Sequence, residues 1–464
     1  MTTASFDGGR QVEAVSRIGR LVRGRRVLWP VAGLLGSWLG YFALVFGLPV
    51  SYPSGNFVAA VSVLALFVIA TMVVAVLVDD GVALWLRRTQ CHHRVRCLSG
   101  KEVAYLIVTA LTLSGLGVIC AAYDRVAIQG IDYSQGIGAA RYLWISAGEE
   151  RESVSSLYSI LGYAFGFTFF AAAALAHLHW EILSRHVKRL AVIGTAASLA
   201  VNSFLSGNRS TVLLLCIVLL STGIVRKMQG RKLIPGPALA GLIRVSIVSL
   251  VAFSYGIYVF SARASAGGQE ALAYVDTFLP FLTAEPTPAL QSLEKLPDEL
   301  AATAALGVMA GVYIAHSAGA LGEVMTARER PGQGSFAFLR LLLSKLGVTR
   351  RQEEERLLEG RLLTMPGGIY YDFGAVGVLA AAGLLGAGLA LVSFAVCRHW
   401  GGGLALAGTL AVMVTVLATP VALSFDMLAF PFMLLGFAVL HCAHRVRFPK
   451  ASWWGSAVLL APRE

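Results

Sequence analysis

Long apolar stretches alternate with short polar ones from residue 28 to residue 442. A helix needs about 20 apolar residues to cross a bilayer core. Ten runs approach or exceed that length: 28–48, 57–78, 103–122, 157–178, 189–205, 210–225, 239–260, 371–396, 404–424 and 427–442. This pattern predicts an all-α polytopic membrane protein of about ten spans, with run ends uncertain by several residues. Residues 302–322 are apolar enough to suggest another span. One extra crossing would put the basic segments that follow on the wrong side, so a re-entrant or surface-lying helix is expected there.

Composition agrees with the pattern: 56% of residues are hydrophobic and 14% charged, against about a quarter charged in an ordinary soluble domain. Mean hydropathy is +0.70. The net charge of +12 would fit nucleic acid only if the basic residues were gathered on a polar domain. Instead they punctuate the apolar runs, as topology signals do. Arg17, Arg20, Arg23, Arg25 and Arg26 precede the first span, Arg87, Arg88, Arg94, Arg96 and Lys101 follow the second, and Arg185, Lys188 and Arg189 follow the fourth. Arg226, Lys227, Arg231 and Lys232 follow the sixth, and Arg445, Arg447 and Lys450 the tenth.

Basic residues favour the cytoplasmic side. The expected layout is therefore a basic cytoplasmic N-terminus (1–27), spans one to seven (28–260) with an outer loop at 123–156, a large extracytoplasmic loop (261–370), spans eight to ten (371–442) and a cytoplasmic tail (443–464). Arg10 to Arg26 precede a full-length apolar run rather than a short signal-peptide core, so the first span is expected to remain as an anchor. The cysteines lie in spans or cytoplasmic segments, which argues against a disulfide framework. Cys91, His92, His93 and Cys97 match no standard zinc spacing and read as a solvated loop.

The 261–370 loop is too long to be structureless. Phe336, Phe338, Leu339, Leu342, Leu343 and Leu346 interleave with Arg340 and Lys345, as in a helix lying in the headgroup plane, and Arg350 to Arg361 should face water. No internal repeat is visible.

Two short patterns carry candidate chemistry. Ser206, Gly207, Asn208, Arg209 and Ser210 form a very short outer turn between spans five and six. A guanidinium held there can make bidentate hydrogen bonds to phosphate oxygens, and the start of span six adds positive potential. Taken alone, the arginine also fits a snorkelling anchor. Tyr370, Tyr371, Asp372, Phe373 and Gly374 lead into span eight. The acid there fits a paired or functional carboxylate and the tyrosines fit a sugar, while an aromatic belt with a favourable N-terminal charge explains the same residues.

The SGNRS turn, the long outer loop and YYDFGAVG, in that order, together resemble the Wzy-type O-antigen polymerases, a family of bacterial oligosaccharide repeat-unit polymerases. Tyr123, Asp124 and Arg125 through Gly130 with Arg141, Tyr313 to Ser317, and Gly334, Ser335 and Phe336 are similar to further family elements. The likeness covers about residues 120–380 and departs from the usual Gly-Ser-Arg turn by having Gly-Asn-Arg.

The resemblance implies a glycosyltransferase at the periplasmic face of the bacterial inner membrane. A hydroxyl of one polyprenyl-pyrophosphate-linked oligosaccharide attacks the anomeric carbon of another, and polyprenyl pyrophosphate leaves. Arg209 and Arg263, with Arg141 and Arg340 behind them, are the expected pyrophosphate ligands. Asp372, His316 and Asp124 are the candidate bases, and Tyr370 and Tyr371 the candidate sugar contacts. His316 also fits a satisfied buried histidine, and Asp124 a partner for Arg125 or Arg141. No cofactor, metal or nucleic acid is expected. Membrane lipid, a flippase and a chain-length regulator are the implied partners. An O-antigen ligase and a lipid-linked oligosaccharide flippase remain as alternatives.

Overall fold

The computed structural model describes residues 27–89, 98–149, 154–207, 209–326, 335, 343–344, 348, 363–397, 403–422 and 427–448. The helices run α1 (Leu28–Gly47), α2 (Phe57–Thr89), α3 (Gly100–Tyr123), α4 (Ile137–Glu149), α5 (Leu157–Gly166), α6 (Phe169–Leu178), α7 (Arg185–Ser206) and α8 (Ser210–Met228). They continue as α9 (Ala238–Ala266), α10 (Ala271–Phe281), α11 (Pro288–Gln291), α12 (Asp298–Ala315), α13 (Ser317–Val324), α14 (Met365–Cys397), α15 (Gly403–Ala418) and α16 (Ala429–Arg447). Two short strands, β1 (Val50–Ser51) and β2 (Glu285–Pro286), pair antiparallel and tie the end of α1 to the second loop.

Among the described residues, nine helical segments are long and apolar enough to cross a membrane. The chain is an all-α polytopic membrane protein. Local signals start several helices: Ser99 and Glu102 form a reciprocal capping box on α3, and Ser156 and Ser184 cap α5 and α7, each satisfying amides that a helix start leaves open. Helix α6 is buried on nearly every side, as an apolar helix without a polar face must be. It packs against α3, α7 and α8, with α14 and α2 forming the most extensive helix pair.

The structure refines several spans. The run 157–178 is two helices, because Thr168 turns its hydroxyl to the Ala110 carbonyl at 2.7 Å where α5 gives way to α6. The ninth run is helical only over Gly403–Ala418, shorter than predicted. The eighth begins at Met365 rather than 371, and Gly374 breaks it with φ 63° and ψ −164°. That backbone region is essentially open to glycine alone, so the YYDFG motif ends one helical segment and the next starts beyond it.

Residues 302–322 fall in two nearly continuous helices: α12 meets the length and composition of a span, and His316, with φ −58° and ψ −23°, carries the chain on into α13. Gly311 lies against Leu48 and Gly322 against Ser54, so both helices meet the segment after α1. Their junction packs on α1: the Tyr41 hydroxyl is 2.8 Å from the Ser317 hydroxyl and donates to the Ala315 carbonyl at 3.3 Å. The amphipathic segment 336–346 and the charged stretch 350–361 lie almost entirely outside the described residues.

Candidate functional site

The site is built around the junction of α7 and α8. Gly207 ends α7 in the left-handed region, φ 54°, and Arg209 stands at the start of α8. Three side chains of the first loop hold the preceding carbonyls. Arg141 donates to Ser206 at 2.7 Å and to Gly207 at 3.3 Å, Tyr133 donates to Leu205 at 2.9 Å, and Arg125 donates to Leu205 as well. Helix-end carbonyls carry partial negative charge, so cations there are favourable. Tyr255 of α9 adds a bond to the Ser203 carbonyl at 3.2 Å.

Arg209 is aimed by aromatics. Its guanidinium carbon lies 3.8 Å from the centre of the Phe260 ring and 4.4 Å from that of Tyr313, well inside the roughly 6 Å reach of a cation–π contact. Arg263 lies in the last turn of α9 and hydrogen-bonds the Tyr274 hydroxyl, whose acidity burial suppresses and Arg263 partly restores. Close packing brings Arg141 to the same place. A Cβ on Gly138 would stand 2.4 Å from the Ala262 carbonyl oxygen, so glycine lets α4 touch α9 one turn before Arg141 and one residue before Arg263.

Three arginines from separate segments thus converge. Burial and then the neighbouring charge of Arg263 pull Arg209 and Arg141 down from the ordinary arginine range to about 10. Both stay cationic at neutral pH. The other groups acting on the pair are arginines and tyrosines; among the described residues no carboxylate is one of them. Half-buried like charges of this kind are stabilised by an anion placed between them.

The remaining candidates are placed as follows. His316 is buried at the junction of α12 and α13, its Nδ1 2.8 Å from the Tyr313 carbonyl and its ring 5.7 Å from the Tyr313 ring, so one residue links it to Arg209. Asp124 opens a turn of π-helix and is buried. Its carboxylate accepts from Gln129 at 2.5 Å, Ser155 at 2.9 Å and Ser156 at 2.5 Å, which makes it an organiser of the first loop rather than an available base. Asp372 is also buried and accepts the Ser335 backbone N–H at 2.7 Å, joining two motifs 37 residues apart. Tyr371 is buried beside it and Tyr370 partly buried. Arg340 lies outside the described residues.

Phe260, Tyr274, Tyr255 and Gly138 were not singled out from sequence. Phe260 carried one signal, its position a turn before Arg263 at a span end. Comparison of the chain with protein-family models, with curated proteins and with solved structures gives no match.

Proposed function

We propose that the chain polymerises polyprenyl-pyrophosphate-linked oligosaccharide repeat units by glycosyl transfer at the outer face of the cytoplasmic membrane. The observation that carries the reading is the convergence of Arg209, Arg141 and Arg263 without a carboxylate among the groups acting on Arg209 and Arg141. A diphosphate supplies the missing negative charge, and guanidinium forks match its oxygens.

In this reading the acceptor hydroxyl oxygen forms a bond to the anomeric carbon as the bond from that carbon to the pyrophosphate oxygen breaks. The leaving group gains charge and needs stabilising more than protonating. Preorganised cations supply that, each contact contributing about 3 to 4 kcal/mol in comparable sites. The acceptor proton passes to His316. Its Nδ1–H donates to the Tyr313 carbonyl, and the Tyr313 ring in turn faces Arg209. The basic segments on the opposite side of the bundle support the outward orientation of the arginines.

The test is a strain lacking the chain, with its surface glycans separated by size. Loss of long chains while single repeat units still reach the surface is the expected result. Loss of every unit would assign the step to a flippase or ligase instead.

A further inference from the structure

Helix α10 (Ala271–Phe281) has 11 residues, a length that is marginal for an isolated helix in water, and Pro280 removes a backbone donor from its last turn. Docking therefore holds it in place. Tyr274, Val275 and Leu279 turn inward while Ala273, Asp276, Thr277 and Pro280 face out, and the helix packs on α12 far more than on α9, which precedes it. Tyr274 also stacks on Phe278 of the same helix, ring centres 5.4 Å apart.

A left-handed residue stands at each end of α10. Gly268, exposed and with φ 66°, closes α9: its N–H donates to the Ser265 carbonyl at 3.0 Å and that of Gln269 to the Ala264 carbonyl at 3.0 Å. A Cβ there would meet nothing within 4 Å, so this glycine serves the backbone rather than packing. Thr283, φ 58°, takes the same position at the end of α10, its N–H donating to the Pro280 carbonyl at 2.9 Å and that of Ala284 to Leu279 at 3.0 Å. A β-branched residue is strained in that region. Its Oγ1 is buried without a hydrogen-bond partner among the described residues, and a Cβ on Gly319 of α13 would stand 2.5 Å from it. The docked position of α10 is thus held at a cost, between an exposed glycine joint and a strained turn.

Tyr274 brings α10 to the cations: it hydrogen-bonds Arg263 and lies within electrostatic reach of Arg209. A guanidinium has no acceptor, so Arg263 donates to the Tyr274 oxygen and leaves the phenol hydrogen free to donate elsewhere. We infer that α10 is a hinged cover over the arginine cluster, turning at Gly268 and Thr283, and that it closes on a diphosphate by donating the Tyr274 O–H to one of its oxygens. The inference rests on the cluster binding an anion, as proposed above. Opening relieves the strain at Thr283, and the anion gives the closed form a charge-assisted bond that the open form lacks, which is the differential interaction such a shift requires.

The test uses the full chain in phosphatidylcholine nanodiscs with inorganic pyrophosphate, reading backbone hydrogen exchange across 269–284 together with affinity. Saturating pyrophosphate is expected to slow exchange across α10 about tenfold. Tyr274→Phe keeps the ring and its stacking, so it should fold as the wild type does, lose that slowing and bind pyrophosphate about tenfold more weakly, a difference of about 1.4 kcal/mol. Bound pyrophosphate that leaves exchange across α10 unchanged, or full slowing in Tyr274→Phe, overturns the cover. The same slowing from phosphatidylglycerol in the nanodisc, with no pyrophosphate added, overturns a diphosphate as its trigger. A wild type that binds no pyrophosphate, or an Arg209→Ala variant that binds it undiminished, removes the anion site itself, so failure of the site is read separately from failure of the cover.

Discussion

Arg226 and Arg209 stand near opposite ends of α8 and have different surroundings. Arg226 is fully buried and reaches the Glu181 carboxylate at 2.5 and 3.1 Å, with further bonds to the carbonyls of His177 and Lys232 at 2.8 and 2.9 Å. The Arg226 guanidinium holds Glu181 down at about 2. Its folded value lies below the unfolded one, so the unfolded chain binds the proton first, and the contribution to stability is complete above about pH 4.5 and lost as pH falls toward 2. Glu181→Gln should therefore lower the unfolding temperature in detergent at pH 7, with the difference from wild type vanishing at the acid end. An equal difference at both ends would contradict the pairing. Because Glu181 is half exposed, solvent screening makes the effect modest.

Arg209 has aromatic faces in place of an acid, and on the proposed function its fork geometry is the quantity to test. Arg209→Lys keeps the charge but loses the planar fork and its stacking. It should still cut polymer formation roughly 100-fold, the effect of removing one preorganised contact, measured as chain length at matched protein level. Wild-type chains from the lysine variant would show that charge alone suffices. Arg209 and Arg263 were legible in sequence because each sits at a predicted span end, and Arg141 through the resemblance of the first outer loop. Their mutual approach was not, since it depends on contacts between segments as much as 122 residues apart, Arg141 to Arg263.

At the scale of elements, the site depends on α4 lying against α9. Gly138→Val would force the helices apart at Ala262, an overpacking that typically costs about 1 to 3 kcal/mol. It should separate Arg141 from Arg263, lowering both the unfolding temperature and the affinity for inorganic pyrophosphate, whereas a change in stability alone would detach α4 from the site. The apolar runs announced most helices, since length and hydropathy are properties of the chain itself. The break at Gly374 was hidden because a glycine in a glycine-rich span reads as packing. Asp372 illustrates a different limit. Its motif was visible, but its bond to the Ser335 backbone N–H was not, since no local pattern joins positions 37 residues apart.

Across the whole molecule, the charge asymmetry and the arginine cluster tell a consistent story. Basic residues crowd the connections at one side of the apolar helices. The half-buried arginines of the candidate site lie toward the other, where Tyr313 links Arg209 to the buried His316. A transporter would need the site to open alternately to both sides. A polymerase needs only an outer cavity that keeps its cations through turnover. The most direct measurement is the size distribution of surface glycans in a strain whose only copy carries Arg209→Ala, with membrane insertion matched to wild type. The account predicts single repeat units without long chains. A wild-type ladder from that variant would contradict it.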